Sequence, residues 1–242
     1  IALLFLSFCA KSSNQPFGIA TRHHIATDIG MNILVEGGNA IDAAVAVSFA
    51  LAVVNPSAGN LGGGGFMLIH LSETNETIAL DYRERAPIKS FEKMFLDQDE
   101  KVIKGLSLNS TLASGVPGTV SGMFYASKKF GSVNIEKLIS PSIEIARNGF
   151  NLSKFQAKNL NKYKDKFSKN IEAKQIFTKP NGFKEGDLLI QKNLADTLER
   201  ISKNGEQEFY SGETAKMISE FFKENNGICL LYTSPSPRDQ VV

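Results

Sequence analysis

The chain has 242 residues, of which 42% are hydrophobic and 21% charged, and its formal net charge is +2 at pH 7. This is the composition of a globular protein with a sizeable core, enough for one large domain or two small ones. The near-neutral charge and the lack of a basic run give no reason to expect a nucleic-acid partner. Two cysteines, Cys9 and Cys229, can build neither a disulfide framework nor a metal site, so we expect no metal and no cofactor.

The first ten residues form an apolar run, which a polar stretch follows at residues 11–16. The run is too short for a membrane-spanning helix but has the length of the apolar region of a secretion signal. We therefore interpret residues 1–16 as a signal-peptide remnant and linker, and expect an exported protein, periplasmic or extracellular. Lipidation of Cys9, which would anchor the protein to a membrane, and a buried first strand are the alternatives.

The next elements are predicted to be a short strand and two helices. Residues 18–21 could form the strand, and apolar residues at helical spacing from Ile25 predict a helix that ends at a pair of glycines. Asn39 is a typical N-cap for the second helix, and Asp42 suits its first turn. Residues 43–54 are apolar on nearly every side, which indicates a helix buried inside a layered domain.

A polar turn separates two candidate strands, residues 65–71 and 77–82, and this pattern predicts a β-hairpin. Two helices followed by a hairpin indicate a sheet with a covering layer of helices. The rest of the chain is predicted to be mostly helical, over residues 120–130, 135–148, 152–167, 187–203 and 212–224.

Four consecutive glycines, residues 62–65, lead into the first strand of this hairpin. A phosphate-binding loop would open a helix and end in Lys-Ser or Lys-Thr, and this run does neither. Close packing of backbones and positive φ angles are the better explanations.

Two arginines follow the second strand. A period of two would place Arg83 and Arg85 on one face and Glu84 on the other. Two guanidinium groups at a strand end can clamp a carboxylate. Structural ion pairing with Asp81 or Glu84 is the alternative.

These segments together resemble the γ-glutamyltransferase (glutathione hydrolase) family. The three most specific segments are residues 36–46 (EGGNAIDAAVA), 58–68 (AGNLGGGGFML) and 80–87 (LDYRERAP). Residues 113–122, 145–150 and 208–213 extend the resemblance, which covers roughly residues 17–228.

The resemblance implies an N-terminal nucleophile hydrolase with an αββα sandwich, made as one precursor that cleaves itself into a large and a small subunit. A threonine at the start of the small subunit attacks the γ-glutamyl carbonyl, and the glutamyl group then passes to water or to an amino acid. The large subunit supplies an arginine that holds the α-carboxylate of glutathione or another γ-glutamyl compound. The matching residue is Arg83, and Glu84 would orient it.

The chain departs from the family pattern in its last part. Residues 229–242 lack periodicity and contain two Ser-Pro steps, so we interpret them as a non-native or disordered tail after a large-subunit portion at residues 17–228. No threonine here, including Thr119 and Thr233, lies in the start motif of a small subunit. We therefore expect the nucleophile to lie beyond the chain end, the α/β sandwich to be incomplete without the small subunit, and the chain to be inactive alone.

Two other functions fit the same residues. A glutaryl or cephalosporin acylase of the same superfamily would also need an arginine for a carboxylate. A stable binding module without catalysis would fold alone over residues 17–228, although its apolar sheet surface would then be exposed.

Overall fold

A computed structural model of the protein describes residues 17–228. Their helices are, in chain order, α1 (His24–Val35), α2 (Ala40–Val54), α3 (Leu106–Asn109), α4 (Thr119–Phe130), α5 (Ile135–Asn148), α6 (Lys154–Lys162), α7 (Lys164–Phe167), α8 (Ile171–Phe177), α9 (Lys192–Asn204), α10 (Glu206–Tyr210) and α11 (Glu213–Glu224). A short 3-10 helix at Thr111–Ala113 precedes α4. The strands are β1 (Phe66–Leu71), β2 (Glu76–Asp81), β3 (Phe150–Asn151) and β4 (Leu188–Leu189).

Helix α2 is the centre of the core, as its apolar sequence predicts. It packs against α1, α4 and α5, and α5 packs in turn against α9. Val45, Phe49 and Val53 of α2 are fully buried. Small residues allow the close helix contacts: a Cβ on Gly30 of α1 would lie only 2.7 Å from a methyl group of Val47. A helix that is apolar all round is stable only when it is enclosed in this way.

The N-terminus of α2 confirms the predicted cap. The Asn39 side chain accepts hydrogen bonds from the backbone N–H groups of Ile41 and Asp42, and the Asp42 carboxylate accepts one from the Asn39 N–H at 2.8 Å. Asp42 is completely buried and also accepts hydrogen bonds from the backbone N–H groups of Ser132 and Val133. These charge-assisted bonds tie the start of α2 to the connection between α4 and α5.

The C-terminus of α2 is satisfied by side chains from distant parts of the chain. Gln156 of α6 donates to the carbonyl of Val54, and Gln191 donates to that of Val53, each through its Nε2 atom. The last carbonyls of a helix have no partner within the helix, so a buried helix end needs such donors.

Strands β1 and β2 form the predicted antiparallel hairpin, and β3 pairs with β4 in a second two-stranded sheet. In the first sheet, Ile69, Ile78 and Leu80 are buried on one face. The other face carries Phe66 and Leu68, which are 64% and 76% exposed. An apolar outer face on a sheet is unusual, because antiparallel sheets normally present polar residues to water.

Three predictions of local structure were wrong. Residues 18–21 form no strand; the Thr21 hydroxyl instead bonds the backbone of His23 and leads the chain into α1. The predicted helix at 187–203 begins only at Lys192, because Leu188–Leu189 pairs with a strand far away in sequence. The predicted helix at 152–167 is broken at Tyr163 into α6 and α7.

The predicted secretion signal with Cys9 and the predicted tail at residues 229–242 lie outside the described residues. Within residues 17–228, no helix is both long and apolar enough to cross a membrane. In the same range, no cluster of three or more His, Cys, Asp or Glu side chains is placed to hold a metal ion.

Candidate functional site

The segment that follows β2 carries the predicted site. Tyr82 continues the hairpin ladder by exchanging two backbone hydrogen bonds with Gly65, of 3.0 and 3.3 Å. The chain then turns, because the Arg83 N–H donates to Oδ1 of Asp81 at 2.9 Å. Two residues further on, Arg85 pairs through its backbone with Val116. Arg83 thus lies between two short stretches of paired backbone.

The glycine run allows this segment to pack closely, as the sequence predicts. A Cβ on Gly64 would overlap the carbonyl oxygen of Tyr82 and lie 2.8 Å from the amide nitrogen of Glu84. The positive φ angles that were expected beside close packing are wrong, since none of the four glycines adopts the left-handed conformation. The glycines are therefore needed for space and not for their dihedral angles.

The start of α4 holds this arrangement from the other side. The carbonyl of Gly63 accepts hydrogen bonds from the N–H groups of Gly118 and Thr119, at 2.8 and 3.0 Å. Gly118 is itself pressed against the carbonyl of Tyr82, so that a Cβ there would overlap it. The first N–H groups of α4, which need partners outside the helix, are thus used to fix the glycine run.

Residues 208–213, part of the family resemblance, support the start of α4. The Tyr210 hydroxyl donates to the Pro117 carbonyl at 3.0 Å and accepts from the Ser121 N–H at 3.1 Å. Burial raises the pKa of Tyr210 well above its usual value, so the phenol stays protonated. Glu208 is buried nearby, and although burial favours its neutral form, hydrogen bonds from Thr214 and Arg200 lower its pKa. Both side chains are structural.

Arg83 lies at the edge of a cavity of about 410 Å³, the arginine cavity. The cavity is lined by Gly62, Arg83, Glu84, Arg85, Ala86, Ala113, Ser114 and Gly115. Two arginines and one glutamate leave it with a net positive lining, which suits an anionic group.

Among the described residues, the side chain of Arg83 has one hydrogen-bonded partner and one aromatic neighbour. Its Nε atom is 3.1 Å from Oε2 of Glu84, and its guanidinium carbon is 5.8 Å from the centre of the Phe66 ring. Neither terminal Nη atom has a partner among the described residues, so both can donate to one carboxylate in the parallel, two-point geometry that guanidinium groups favour. The expectation that Glu84 lies opposite Arg83 was wrong, because β2 ends at Asp81 and its alternation stops there.

The sequence did not predict which residues form the wall of the arginine cavity opposite Arg83. Residues 113–115 reach it because Val116 pairs with Arg85, a contact across about thirty residues that has no local pattern. Arg85 is half-buried in this wall, and its side chain has no partner among residues 17–228. The closeness of Arg85 to Arg83 could be expected from the sequence, whereas the closeness of Ser114 to Arg83 could not.

The described lining of the arginine cavity has charged groups that suit an anion, but it has no activated nucleophile. Ser114 is the one hydroxyl residue in its lining, and no histidine, lysine or cysteine stands among the described lining residues. A serine without an adjacent base is a weak nucleophile. The geometry defines a positively lined cavity on a layered α/β protein.

Comparison with known proteins agrees with this class. The family model described as Gamma-glutamyltranspeptidase matches residues 26–231. The chain belongs to the gamma-glutamyltranspeptidase family.

Relatives show how much of the family's length the chain covers. It is 46% identical over 212 residues to a glutathione hydrolase proenzyme of Escherichia coli, covering 87% of this chain but 36% of that protein. Among solved structures it is similar to the gamma-glutamyltranspeptidase of Helicobacter pylori, at 46% identity and a TM-score of 0.86, covering 88% of this chain and 62% of that one. The chain therefore spans little more than a third of the curated relative.

The structural similarity confirms the predicted fold class, a partial α/β sandwich of the N-terminal nucleophile hydrolase type. A cephalosporin acylase of Bacillus halodurans has the same fold, with a TM-score of 0.74, but at 24% identity this similarity concerns the fold alone.

Proposed function

We propose that this chain is the carboxylate-binding part of a γ-glutamyltransferase, or glutathione hydrolase, and that Arg83 holds the α-carboxylate of the γ-glutamyl substrate. The observation that carries the proposal is the state of Arg83: Glu84 fixes Nε, and both Nη atoms are free at a positively lined cavity. The identity to glutathione hydrolases, as opposed to acylases, supports glutathione and other γ-glutamyl compounds as substrates.

The chemistry proposed for the whole protein is acyl transfer. A threonine of the small subunit attacks the γ-glutamyl carbonyl, the amine of the substrate leaves, and the γ-glutamyl ester is passed to water or to an amino acid. Arg83 contributes by fixing the far end of the glutamyl group, so that its carbonyl is presented to the nucleophile. Because the arginine cavity offers no activated nucleophile, the chain alone should have no activity.

We also propose that the exposed sheet face with Phe66 and Leu68 packs against the small subunit of the same protein. Such an apolar face, on the same sheet as the arginine-bearing segment, favours an enclosed position in the whole molecule. The active site would then lie where Arg83 and the threonine of the small subunit meet.

Steady-state kinetics of the full-length protein tests the role of Arg83. With γ-glutamyl-p-nitroanilide, Arg83→Gln should raise KM by roughly 30-fold or more, since the lost two-point contact is worth about 2–4 kcal/mol. Lys89→Gln, which removes an exposed charge outside the lining of the arginine cavity, is the matched control and should leave KM unchanged. An unchanged KM in Arg83→Gln would place the carboxylate contact elsewhere.

Assays of the full-length protein also discriminate between γ-glutamyl compounds and glutaryl-cephalosporins as substrates. A γ-glutamyl anilide carries the α-amino group that a glutaryl-cephalosporin lacks. Turnover of the glutaryl compound with none of the anilide would refute the γ-glutamyl assignment and favour an acylase.

Export remains a proposal, supported by the apolar run at residues 1–10 and the polar stretch after it. Fractionation of cells that make the full-length protein tests it. Activity found only in the cytosolic fraction would count against export.

A further inference from the structure

A second cavity, also of about 410 Å³, shares no residue with the arginine cavity. We call it the aromatic cavity, since three phenylalanines and one tyrosine, Phe155, Phe167, Phe177 and Tyr163, line it. It lies where the C-terminus of α2 meets the start of α1 and helices α6 to α8. Its volume is within the range of small-molecule sites, which are mostly apolar with a few polar anchors.

Two of the aromatic side chains in its walls are exposed to solvent and not packed in the core. Phe155 is 63% exposed and Tyr163 is 41% exposed, although each is large and mostly apolar. Phe167 and Phe177 pack on each other, with their ring centres 5.2 Å apart, and form a firm wall between α7 and α8. Such rings favour a flat, aromatic ligand, which they can contact edge to face or stacked.

The one charged side chain among the described lining residues of the aromatic cavity is positive. No aspartate or glutamate lines it. Arg22 stands in its lining, is exposed, and has no ion-pair partner among residues 17–228. Lys162 and Lys166 do not line the cavity, but their Nζ atoms lie 5.2 and 5.6 Å from the centre of the ring of Tyr163, which does.

Two of the neutral polar residues in the lining, Asn159 and His23, bear on the choice of ligand. The side-chain amide of Asn159 lines it and has no hydrogen-bond partner within the described part of the chain. His23 accepts a hydrogen bond from the Ile25 N–H at Nδ1, which leaves the proton of the neutral ring on Nε2. Burial and the neighbouring His24 lower the pKa of His23, so the ring adds no charge near pH 7. Arg22 is thus the cation in the described lining of the cavity.

We propose that the aromatic cavity binds a small aromatic carboxylate, with the ring between the aromatic side chains and the carboxylate on Arg22. A guanidinium without an acidic partner beside an apolar pocket fits a monoanion with a flat body, and the free amide of Asn159 can hold a second oxygen. The site does not depend on the γ-glutamyl chemistry proposed for the arginine cavity.

Titration of the full-length protein with 3-phenylpropionate and with its neutral counterpart 3-phenylpropanamide, followed by calorimetry, tests the proposal. The acid should bind about tenfold more tightly than the amide, and Arg22→Gln should remove that difference. Phe155→Ala should weaken the binding of both compounds, because it removes a ring that would contact the ligand. Phe155 is 63% exposed, so the fold should tolerate the change. Lys158→Gln, on the same helix α6 but outside the cavity lining, is the matched control and should bind as the parent does.

Two further results identify the site. Arg83→Gln should leave binding of the acid unchanged, which separates this cavity from the arginine cavity. Equal affinities for acid and amide, or loss of binding in Arg83→Gln but not in Arg22→Gln, would overturn the proposal. So would the lack of saturable binding in the millimolar range, since another part of the protein would then cover the aromatic cavity.

Discussion

At the scale of single residues, the site depends on how one arginine is oriented. Glu84 and Arg83 are neighbours in sequence, and their side chains meet because the chain leaves the strand between Asp81 and Arg83. The Glu84 carboxylate accepts a hydrogen bond from the Nε–H of Arg83. A two-point contact through Nη1 and Nη2 of Arg83 does not need this donor. The pair therefore orients Arg83 without competing with the proposed substrate carboxylate.

Glu84→Gln should weaken substrate binding much less than Arg83→Gln. The ion pair is partly exposed, with 61% and 34% of the two side chains accessible, and such pairs are worth at most about 1 kcal/mol. We expect KM for a γ-glutamyl anilide to rise about fivefold or less, with kcat little changed. Glu73→Gln, the same change in the exposed turn between β1 and β2, controls for net charge. A loss as large as that in Arg83→Gln would mean that Glu84 touches the substrate itself.

At the scale of secondary structure, sequence patterns correctly predicted the elements that depend on neighbouring residues in the chain. Helices α1, α2, α4, α5 and α11 lie within one or two residues of their predicted positions, because periodic apolar residues and the Asn39 cap mark them. Strands β3 and β4 were missed, since each is two residues long and exists only through the other. The wall of the arginine cavity at residues 113–115 was missed for the same reason, as it depends on the pairing of Arg85 with Val116.

The glycine run gives a prediction at this scale, because two of its members differ in their surroundings. A Cβ on Gly64 would overlap the Tyr82 carbonyl, whereas a Cβ on Gly62 would have Oδ1 of Asn60, at 3.7 Å, as its nearest neighbour. Gly64→Ala should therefore destabilise the full-length protein by about 1–3 kcal/mol, the usual cost of overpacking. Gly62→Ala should change stability by no more than about 0.5 kcal/mol.

Thermal unfolding of the two glycine variants beside the parent measures this difference. Gly64→Ala should also raise KM, since the backbone that it displaces carries Arg83. Equal unfolding midpoints for the two variants would show that backbone contact at Gly64 is not what the run provides.

At the scale of the whole molecule, the β1–β2 sheet has apolar side chains on both faces, and the described residues cover those on one face. Ile69, Ile78 and Leu80 are buried on the inner face, while Phe66 and Leu68 lie on the outer one. Isolated exposed apolar residues are ordinary, but two of them side by side on a sheet indicate a contact surface. The proposed small subunit would cover this surface and, in doing so, close the site around Arg83.

Leu68→Ser should therefore have opposite effects in two forms of the protein. In the full-length protein it should lower stability by about 2 kcal/mol, because the proposed contact with the small subunit would bury this side chain between two layers. In a chain of residues 17–228 made alone, it should reduce association and the binding of an apolar dye, since the same side chain is then exposed. Ile171→Ser is the matched control: Ile171 is also 76% exposed, but it lies on α8, away from the sheet. If both variants leave the full-length protein equally stable, the outer face is not an internal interface, and a site shared between two subunits loses its structural basis.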